Sequence, residues 1–467
     1  MTTAIPQMLL GDVFKRFTAE SPICVMVQAL LEKALDANTV DALFEQHAQM
    51  QYTRTLLFSS VVDLMSLVVC GIKPSVNAAY KHLQKRIPVA RTNVYEKINH
   101  TEPAVSAALV RHTAGTLTEI IEQLEGAAPD LLPGYRVKIL DGNCLAASEH
   151  RLRELRTLGA GPLPGKSLVV LDPALMLAVN VFPCEDGHTQ ERALLDEVLP
   201  TVQPGELWIE DRNFCTRKWL FGVAHRGAHF LVREHGANVP WEAVTELAYA
   251  GRTDNADVWE QRVQIVHPET GKRLTVRRLE IHLDAPTRDG DRVVAVLTNV
   301  SKKKATALRL ADLYRKRWKI ETLFQVLEKA LASEQPSLGY PPAALLGFCL
   351  ALVAYNVLAV IQAALRVTQG AETAEAMSLY YFAEEMNSVY QGMMIALPEG
   401  QWQSFQSYST REMAGFLKDV ASKVWLPRYA RQPRGPKKPP PKRIKRKNQP
   451  HVSTARILKQ RRKAKIV

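Results

Sequence analysis

Two aspartates close rows of alternating apolar residues. Asp141 ends the series Val137, Ile139, Asp141, and Asp211 ends Leu207, Ile209, Asp211. Residues two apart on a strand share a face, so each carboxylate stands at the end of an otherwise apolar row. Either aspartate alone could simply stop a strand and start a turn, as Asp172 before Pro173 illustrates. A third element is Tyr314-Arg-Lys-Arg317-Trp-Lys-Ile-Glu321. Offsets of three and four residues place Tyr314, Arg317 and Glu321 on one helical face, where a phenol, a guanidinium and a carboxylate can serve a phosphate and a metal together. The plainer alternative is an exposed charged face with an Arg317–Glu321 pair worth about 0.2–0.5 kcal/mol. The 12 histidines contain no H-E-x-x-H grouping, which argues against a zinc hydrolase.

The elements that must position these groups follow from hydrophobic period. Up to about residue 130 the chain reads as helix, with apolar residues at helical spacing through 56–68 and 105–124. Between them, 75–86 and 91–99 make a helix-turn-helix outline in which Ser75 caps the first helix, Pro88 interrupts and Thr92 caps the second. Such an outline reads DNA in many proteins and also occurs without it. From Gly134 the period changes. Tyr135 to Asp141, Lys166 to Asp172 and Ala174 to Phe182 suit a three-stranded meander, followed by helix 189–199, strand 206–211, helix 216–224 and strand 229–233. That order predicts a mixed α/β sheet. Residues 241–300 are again strand-like and look inserted, because helix resumes only at Ala305. The segment Ala343 to Ile361 is nearly all apolar, broken by Asn356, and is expected to be a buried core helix rather than a membrane span.

The acids at this spacing sit in recognisable surroundings: Leu140-Asp-Gly-Asn143, Ser148-Glu-His-Arg-Leu-Arg-Glu-Leu-Arg156, Ile209-Glu-Asp-Arg-Asn-Phe214, and Tyr314 to Glu321. Four such motifs in order, over most of residues 50–370, resemble the DDE transposases of bacterial insertion sequences, and most closely the cut-and-paste family conventionally numbered four. The resemblance implies a ribonuclease-H-like α/β core of mixed sheet with a β-rich insertion between the second Asp and the Glu. It implies Asp141, Asp211 and Glu321 as catalytic, metal-binding acids. The chemistry agrees: phosphodiester attack is served by two divalent ions, and three carboxylates without His or Cys suit Mg²⁺, with Mn²⁺ as a substitute. Tyr314, Arg317 and Arg212 fall to DNA binding, and Arg151, Arg153 and Arg156 could clamp the backbone or form a solvated helix with internal ion pairs. The family has a lysine seven residues after the Glu. Here that position is Glu328 and the lysine is Lys329, so Lys329 is expected to join Tyr314 and Arg317 on the DNA backbone while Glu328 turns toward a cation such as Arg317. The family's base-stacking Trp in the last insertion strand is also missing from 292–298, with Trp241 and Trp259 as substitutes or core aromatics.

Composition sets the frame. The 467 residues, 46% hydrophobic and 23% charged, allow about three domains. The expected division is a helical DNA-binding domain at 1–130, a catalytic core at 131–340 interrupted at about 238–303, a helical region at 341–427 and a disordered basic tail at 428–467. Of 60 Lys and Arg, 16 lie in that tail, which has no Asp or Glu. The rest of the chain holds 44 basic against 47 acidic residues. Such a tail is drawn to polyphosphate, with nucleic acid the expected partner, although a solubilising tail or a patch for anionic membrane fits the same composition. The 6 scattered cysteines read as reduced thiols, and Met1 to Leu10 lacks the charged and apolar regions of a secretory signal, so a cytoplasmic, nucleoid-associated protein is expected. Together these readings predict a transposase that acts on double-stranded DNA at the ends of its element and at the target, assembled as a homodimer and away from membranes. A non-catalytic DNA-binding regulator and a structure-selective nuclease on the same core are the alternatives.

Overall fold

The computed structural model describes residues 11–51, 53, 55–236, 238–287, 290–432 and 451–464. The first part is helical: α1 (Asp12–Glu20), α2 (Pro22–Ala34), α3 (Ala37–His47), α4 (Phe58–Val69), α5 (Val76–Leu83), α6 (Arg91–His100) and α7 (Pro103–Leu124). In the helix-turn-helix outline, Ser75 caps α5 as expected, its hydroxyl accepting from the Ala78 amide at 3.2 Å. The second cap differs from the expectation. Helix α6 begins at Arg91 after an extended Ala90, so Thr92 lies inside its first turn. Arg91 donates to Asn77 at 2.9 Å and ties the two helices together.

The strands are β1 (Arg136–Cys144), β2 (Pro162–Leu163), β3 (Lys166–Asp172), β4 (Leu177–Cys184), β5 (Glu206–Glu210), β6 (His229–Arg233), β7 (Trp241–Ala243), β8 (Ala248–Thr253), β9 (Ala256–Val266), β10 (Arg273–Leu283), β11 (Val293–Thr298) and β12 (Val452–Ser453). One sheet runs β4-β3-β1-β5-β6-β11-β10-β9-β7, with β8 also on β9. The meander β1, β3, β4 is antiparallel, β5 and β6 lie parallel to β1, and β11 joins β6 antiparallel. The block that looked inserted in the sequence therefore extends the central sheet. The helical segment expected at 189–199 is instead two 3₁₀ turns flanking the short α8 (Leu195–Val198). Pro200, which has no amide proton to continue a helix, falls in the second turn.

Strand alternation sorts the sheet's two faces. Val137, Ile139, Leu207, Ile209 and Leu231 join the larger core, while Leu140, Trp208, Phe230 and Val232 pack in a second core with Trp219 of α9 (Arg217–His225). The larger core also takes residues of α7, α10 (Ala307–Arg315), α11 (Lys319–Lys329) and α12 (Pro341–Gln369). The apolar α12 is long enough to cross a membrane, yet it is buried inside the protein, where it packs on α7 and β4. Its one early polar residue, Asn356, is fully buried and clamps Ala178 of β4, accepting from its amide at 2.8 Å and donating to its carbonyl at 2.9 Å. Ala178 adjoins a register shift in the β3–β4 pairing, so Asn356 satisfies backbone groups at the irregularity.

After α12 come α13 (Ala371–Glu375), α14 (Leu379–Ala396), α15 (Glu399–Trp402), α16 (Thr410–Ala421) and, in the basic tail, α17 (Thr454–Ala464). The disordered tail is thus corrected for 451–464. Val452 and Ser453 pair in parallel with Pro162 and Leu163, and Arg456 donates to Asp186 at 2.6 Å. A short strand beside an open edge and an ion pair anchor a segment whose composition alone has little to bury. The expectation is corrected for 428–432 as well, where the Ser378 amide donates to the Tyr429 carbonyl at 2.9 Å, while 433–450 and 465–467 lie outside the described residues.

Candidate active site

The pairing of β1 with β5 sets the two aspartates side by side. Leu140 is level with Glu210 in a parallel register, so Asp141 and Asp211 follow at the same height on strands about 4.8 Å apart. Two-residue alternation from Ile139 and Ile209 turns both toward the face covered by α11 and α12. Their neighbour Glu210 faces the other way, buried, where its carboxylate accepts from Trp219 Nε1 at 2.6 Å, and burial pushes its carboxyl up to about 8.

The helix expected to carry Tyr314, Arg317 and Glu321 is interrupted. α10 ends at Arg315, a 3₁₀ turn covers Lys316–Trp318, and α11 starts at Lys319, with Glu321 in its first turn. The three residues nevertheless converge on the strand ends. Arg317 donates through Nη1 to Asp141 Oδ2 at 2.7 Å and through Nη2 to Glu321 Oε1 at 3.0 Å, so one guanidinium bridges the first and third acids. Its side chain is only 12% exposed, against 48% for Glu321, and its Nε is buried without a partner among the described residues. Burial disfavours its charge, but Tyr314, Asp141, Asp211 and Glu321 together hold it above the ordinary arginine range. Burial pushes the Asp141 carboxyl up to about 6, with Arg317 and the Gly142 amide pulling down and Asp211 and Glu191 pushing up. Burial likewise raises the Tyr314 phenol well above its ordinary value.

Sequence reasoning missed Glu191. It accepts from Asn213 Nδ2 at 3.1 Å and adds negative charge beside Asp141. A Cβ on Gly142 would come within 2.3 Å of Glu191 Oε1. The glycine after the first acid therefore leaves room for a fourth carboxylate. The available signal was the Asp-Gly-Asn run itself, but no spacing in the sequence connects it to residue 191.

The remaining candidates spread out. Arg151, Arg153 and Arg156 lie exposed in turns rather than on a helix. Arg151 pairs with Glu149, and the Glu149 amide donates to the Pro336 carbonyl at 2.8 Å, which ties the segment to the loop after α11. Arg212 is exposed in a 3₁₀ turn directly after Asp211. Lys329 lines a cavity on another side of α11, with Lys319 and Arg366. Glu328 lines a separate small cavity with Glu334, which differs from the expected cation partner. In a helix the two residues are rotated by about 100° from each other, which sends them to different walls. Trp241 donates to Glu234 at 2.6 Å under the Arg278 guanidinium, and Trp259 packs edge-on against Tyr249, so both are engaged in the sheet.

Hard carboxylate oxygens suit Mg²⁺ or Mn²⁺. The arrangement, however, gathers no group of three His, Cys, Asp or Glu close enough for one ion among the described residues, and Arg317 stands between Asp141 and Glu321. As arranged, the acids fit a guanidinium rather than a metal.

Residues 166–357 match the family model described as a transposase DDE domain. The match covers less than half of the chain; it includes Asp211 and Glu321 and begins after Asp141. It supports a transposase. No curated protein matches the chain. Among solved structures, the synaptic complex of piggyBac transposase with hairpin DNA is similar over 84% of this chain and 86% of that chain, at 9% identity and a TM-score of 0.41, a likeness too loose to argue from.

Proposed function

We propose that the protein is a DDE transposase of the insertion-sequence type, which binds the terminal inverted repeats of its element, nicks DNA by hydrolysis and joins the freed 3′-hydroxyl to target DNA. The observation that carries this reading is the register of β1 on β5, which levels Asp141 with Asp211 while Arg317 ties Glu321 to Asp141. The strand order β4-β3-β1-β5-β6, three antiparallel strands followed by two parallel to β1, supports a ribonuclease-H-like core. The proposed cofactor is Mg²⁺, replaceable by Mn²⁺, which Asp141, Asp211 and Glu321 would hold only once Arg317 leaves the oxygens of Asp141 and Glu321 that it now occupies. Divalent ions in such a site stabilise the attacking and leaving oxygens.

The chain's own residues supply the rest. Arg317, released from the acids, and Tyr314 meet the DNA backbone beside the strand ends. Arg212, Arg151, Arg153 and Arg156 offer exposed charge for flanking phosphates, and helices α5 and α6 serve as the end-reading unit within 1–130. The proposed partner is double-stranded DNA, held by a homodimer in the cytoplasm at the nucleoid and away from membrane. The test is incubation with DNA from the element's own genomic flanks in Mg²⁺ and then in EDTA. Metal-dependent cutting at the repeat boundary supports the enzyme. Tight binding without cutting indicates a non-catalytic regulator, and cutting governed by DNA shape rather than the repeat indicates a structure-selective nuclease.

A further inference from the structure

Behind the catalytic acids, a cavity of about 790 Å³ opens between α11, α12 and the α13–α14 corner. Its charge is lopsided. Lys319, Lys329, Arg366 and Arg431 line it, against the single carboxylate Glu375. None of the four cations lies within 4.0 Å of a carboxylate among the described residues, whereas the partly buried Arg277, Arg278 and Arg233 pair at 2.6–2.7 Å; Lys319 and Arg366 are partly buried, and Lys329 and Arg431 are exposed. Among the described residues the only hydrogen-bond contact of Lys319 Nζ is Met176 Sδ at 3.9 Å. Arg366 spends Nη1 on the Gly126 carbonyl, and its Nε is buried with no partner among the described residues. Arg431 donates its Nε to the Met377 carbonyl at 2.9 Å.

Keeping the partly buried Lys319 and Arg366 at one space without counter-charge costs free energy that an anion would offset, and the exposed Lys329 and Arg431 add charge at its rim. Two guanidiniums and two ammoniums can bring many more donors than one carboxylate accepts, which suits an oxyanion with several acceptor oxygens. A phosphate is such a group. The volume falls in the range of small-molecule sites and exceeds what a bare phosphate fills, so the ligand carries more than the anion. The cavity wall includes Tyr380, 48% exposed, and Tyr381, with ring centroids 5.7 Å apart at 76°. An exposed ring beside a phosphate site is a platform on which a base can stack.

We propose that this cavity is a nucleotide-phosphate site distinct from the catalytic acids, in which Lys319, Lys329, Arg366 and Arg431 hold the phosphate and Tyr380 faces the base. It rests on these residues and not on the cleavage chemistry. Lys329 lies about 80° around α11 from Glu321, so one helix presents the catalytic acid on one side and a cavity cation on another. The nucleotide is either a unit of a single DNA strand or a free mononucleotide.

The test uses the full chain and two probes: a dT10 strand carrying 5-iodo-deoxyuridine for photo-crosslinking, and dTMP for calorimetry. The strand is expected to crosslink at Tyr380 or Tyr381. The double variant K319M/R431Q, checked for an unchanged circular dichroism spectrum and melting temperature, is expected to weaken whichever probe binds by about tenfold, the scale of losing charge-assisted hydrogen bonds. Y380A is expected to reduce crosslinking while leaving the fold intact. Tight binding of dTMP that competes with the strand assigns a free nucleotide, and binding of the strand alone assigns DNA. D141N should retain cavity binding, so a failure of the catalytic reading leaves this result standing. Crosslinks confined to α17, or unchanged affinity in K319M/R431Q, overturn the proposal. Should that double variant misfold, K329Q alone, at an exposed position, decides on the same readouts.

Discussion

The central sheet treats two aspartates of one antiparallel strand pair in opposite ways. Asp172 closes β3, whereas Asp141 lies inside β1, level with Val169 and so three residues along the same antiparallel pair from Asp172. Asp172 is a structural group: Lys138 donates to it at 2.9 Å and Arg136 at 3.2 Å, and its other oxygen accepts the Ala174 and Leu175 amides of the following turn. Burial works against its charge, yet these two cations hold it below the ordinary carboxylate range. Asp141 has one cation, shared with Glu321, and two carboxylates, Asp211 and Glu191, close enough to push its carboxyl up. Asp172 serves stability. The surroundings of Asp141 crowd carboxylates where they oppose one another, an arrangement that a folding argument alone does not explain.

The sharpest way to break this contrast is to neutralise each acid in turn. D141N, D211N and E321Q should each abolish cleavage and strand joining, measured on a pre-nicked repeat end, while sparing binding to the end. D172N should leave the cleavage rate of the folded protein near wild type. A folded D141N that cuts at the wild-type rate would make the two aspartates equivalent.

Stability should divide the same pair in reverse. The Lys138 and Asp172 side chains are 6% and 4% exposed, so D172N strands a buried ammonium and should cost about 3–5 kcal/mol in urea unfolding. A loss below 1 kcal/mol would deny Asp172 its structural role.

Titration sharpens the comparison further. In metal-free protein the Asp141 carboxyl carbon should titrate by ¹³C NMR with a midpoint of about 6, while Asp172 stays ionised below the usual 3.9. The signs differ accordingly. Asp172 contributes stability that is complete above about pH 3.9 and is lost as pH falls through its depressed folded value. Ionising Asp141 costs stability as pH rises from about 4 to about 6, because the folded state holds that proton longer than the unfolded chain. Equal midpoints for the two carbons would contradict the contrast.

The smallest expected effect concerns Gly142. G142A places a methyl group against Glu191, which must shift, at a cost of about 1–3 kcal/mol or less where the carboxylate swings aside. The measured outcome should be a reduced cleavage rate with a small change in melting temperature, and G142A should cost no further stability in an E191A background; an undiminished cost there would mean that the two residues do not touch.

What the sequence determined by itself is what local period can encode. The two-residue alternation of Val137, Ile139, Asp141 and of Leu207, Ile209, Asp211 identifies both strands and the face that each acid takes, and the β-rich block at 241–300 shows the same signature. The cap at Ser75 and the buried, apolar α12 were legible for the same reason: each depends on neighbours within a few residues. Tertiary structure decided the pairings between distant segments. These include the level register of Asp141 with Asp211, the Arg317 bridge across 176 residues to Asp141, Glu191 over Gly142, Asn356 on the β4 irregularity, and β12 on β2. None of these has a sequence period. Each forms because folding leaves a buried polar group or an open strand edge that some remote segment must satisfy, and which segment does so depends on the packing of the whole.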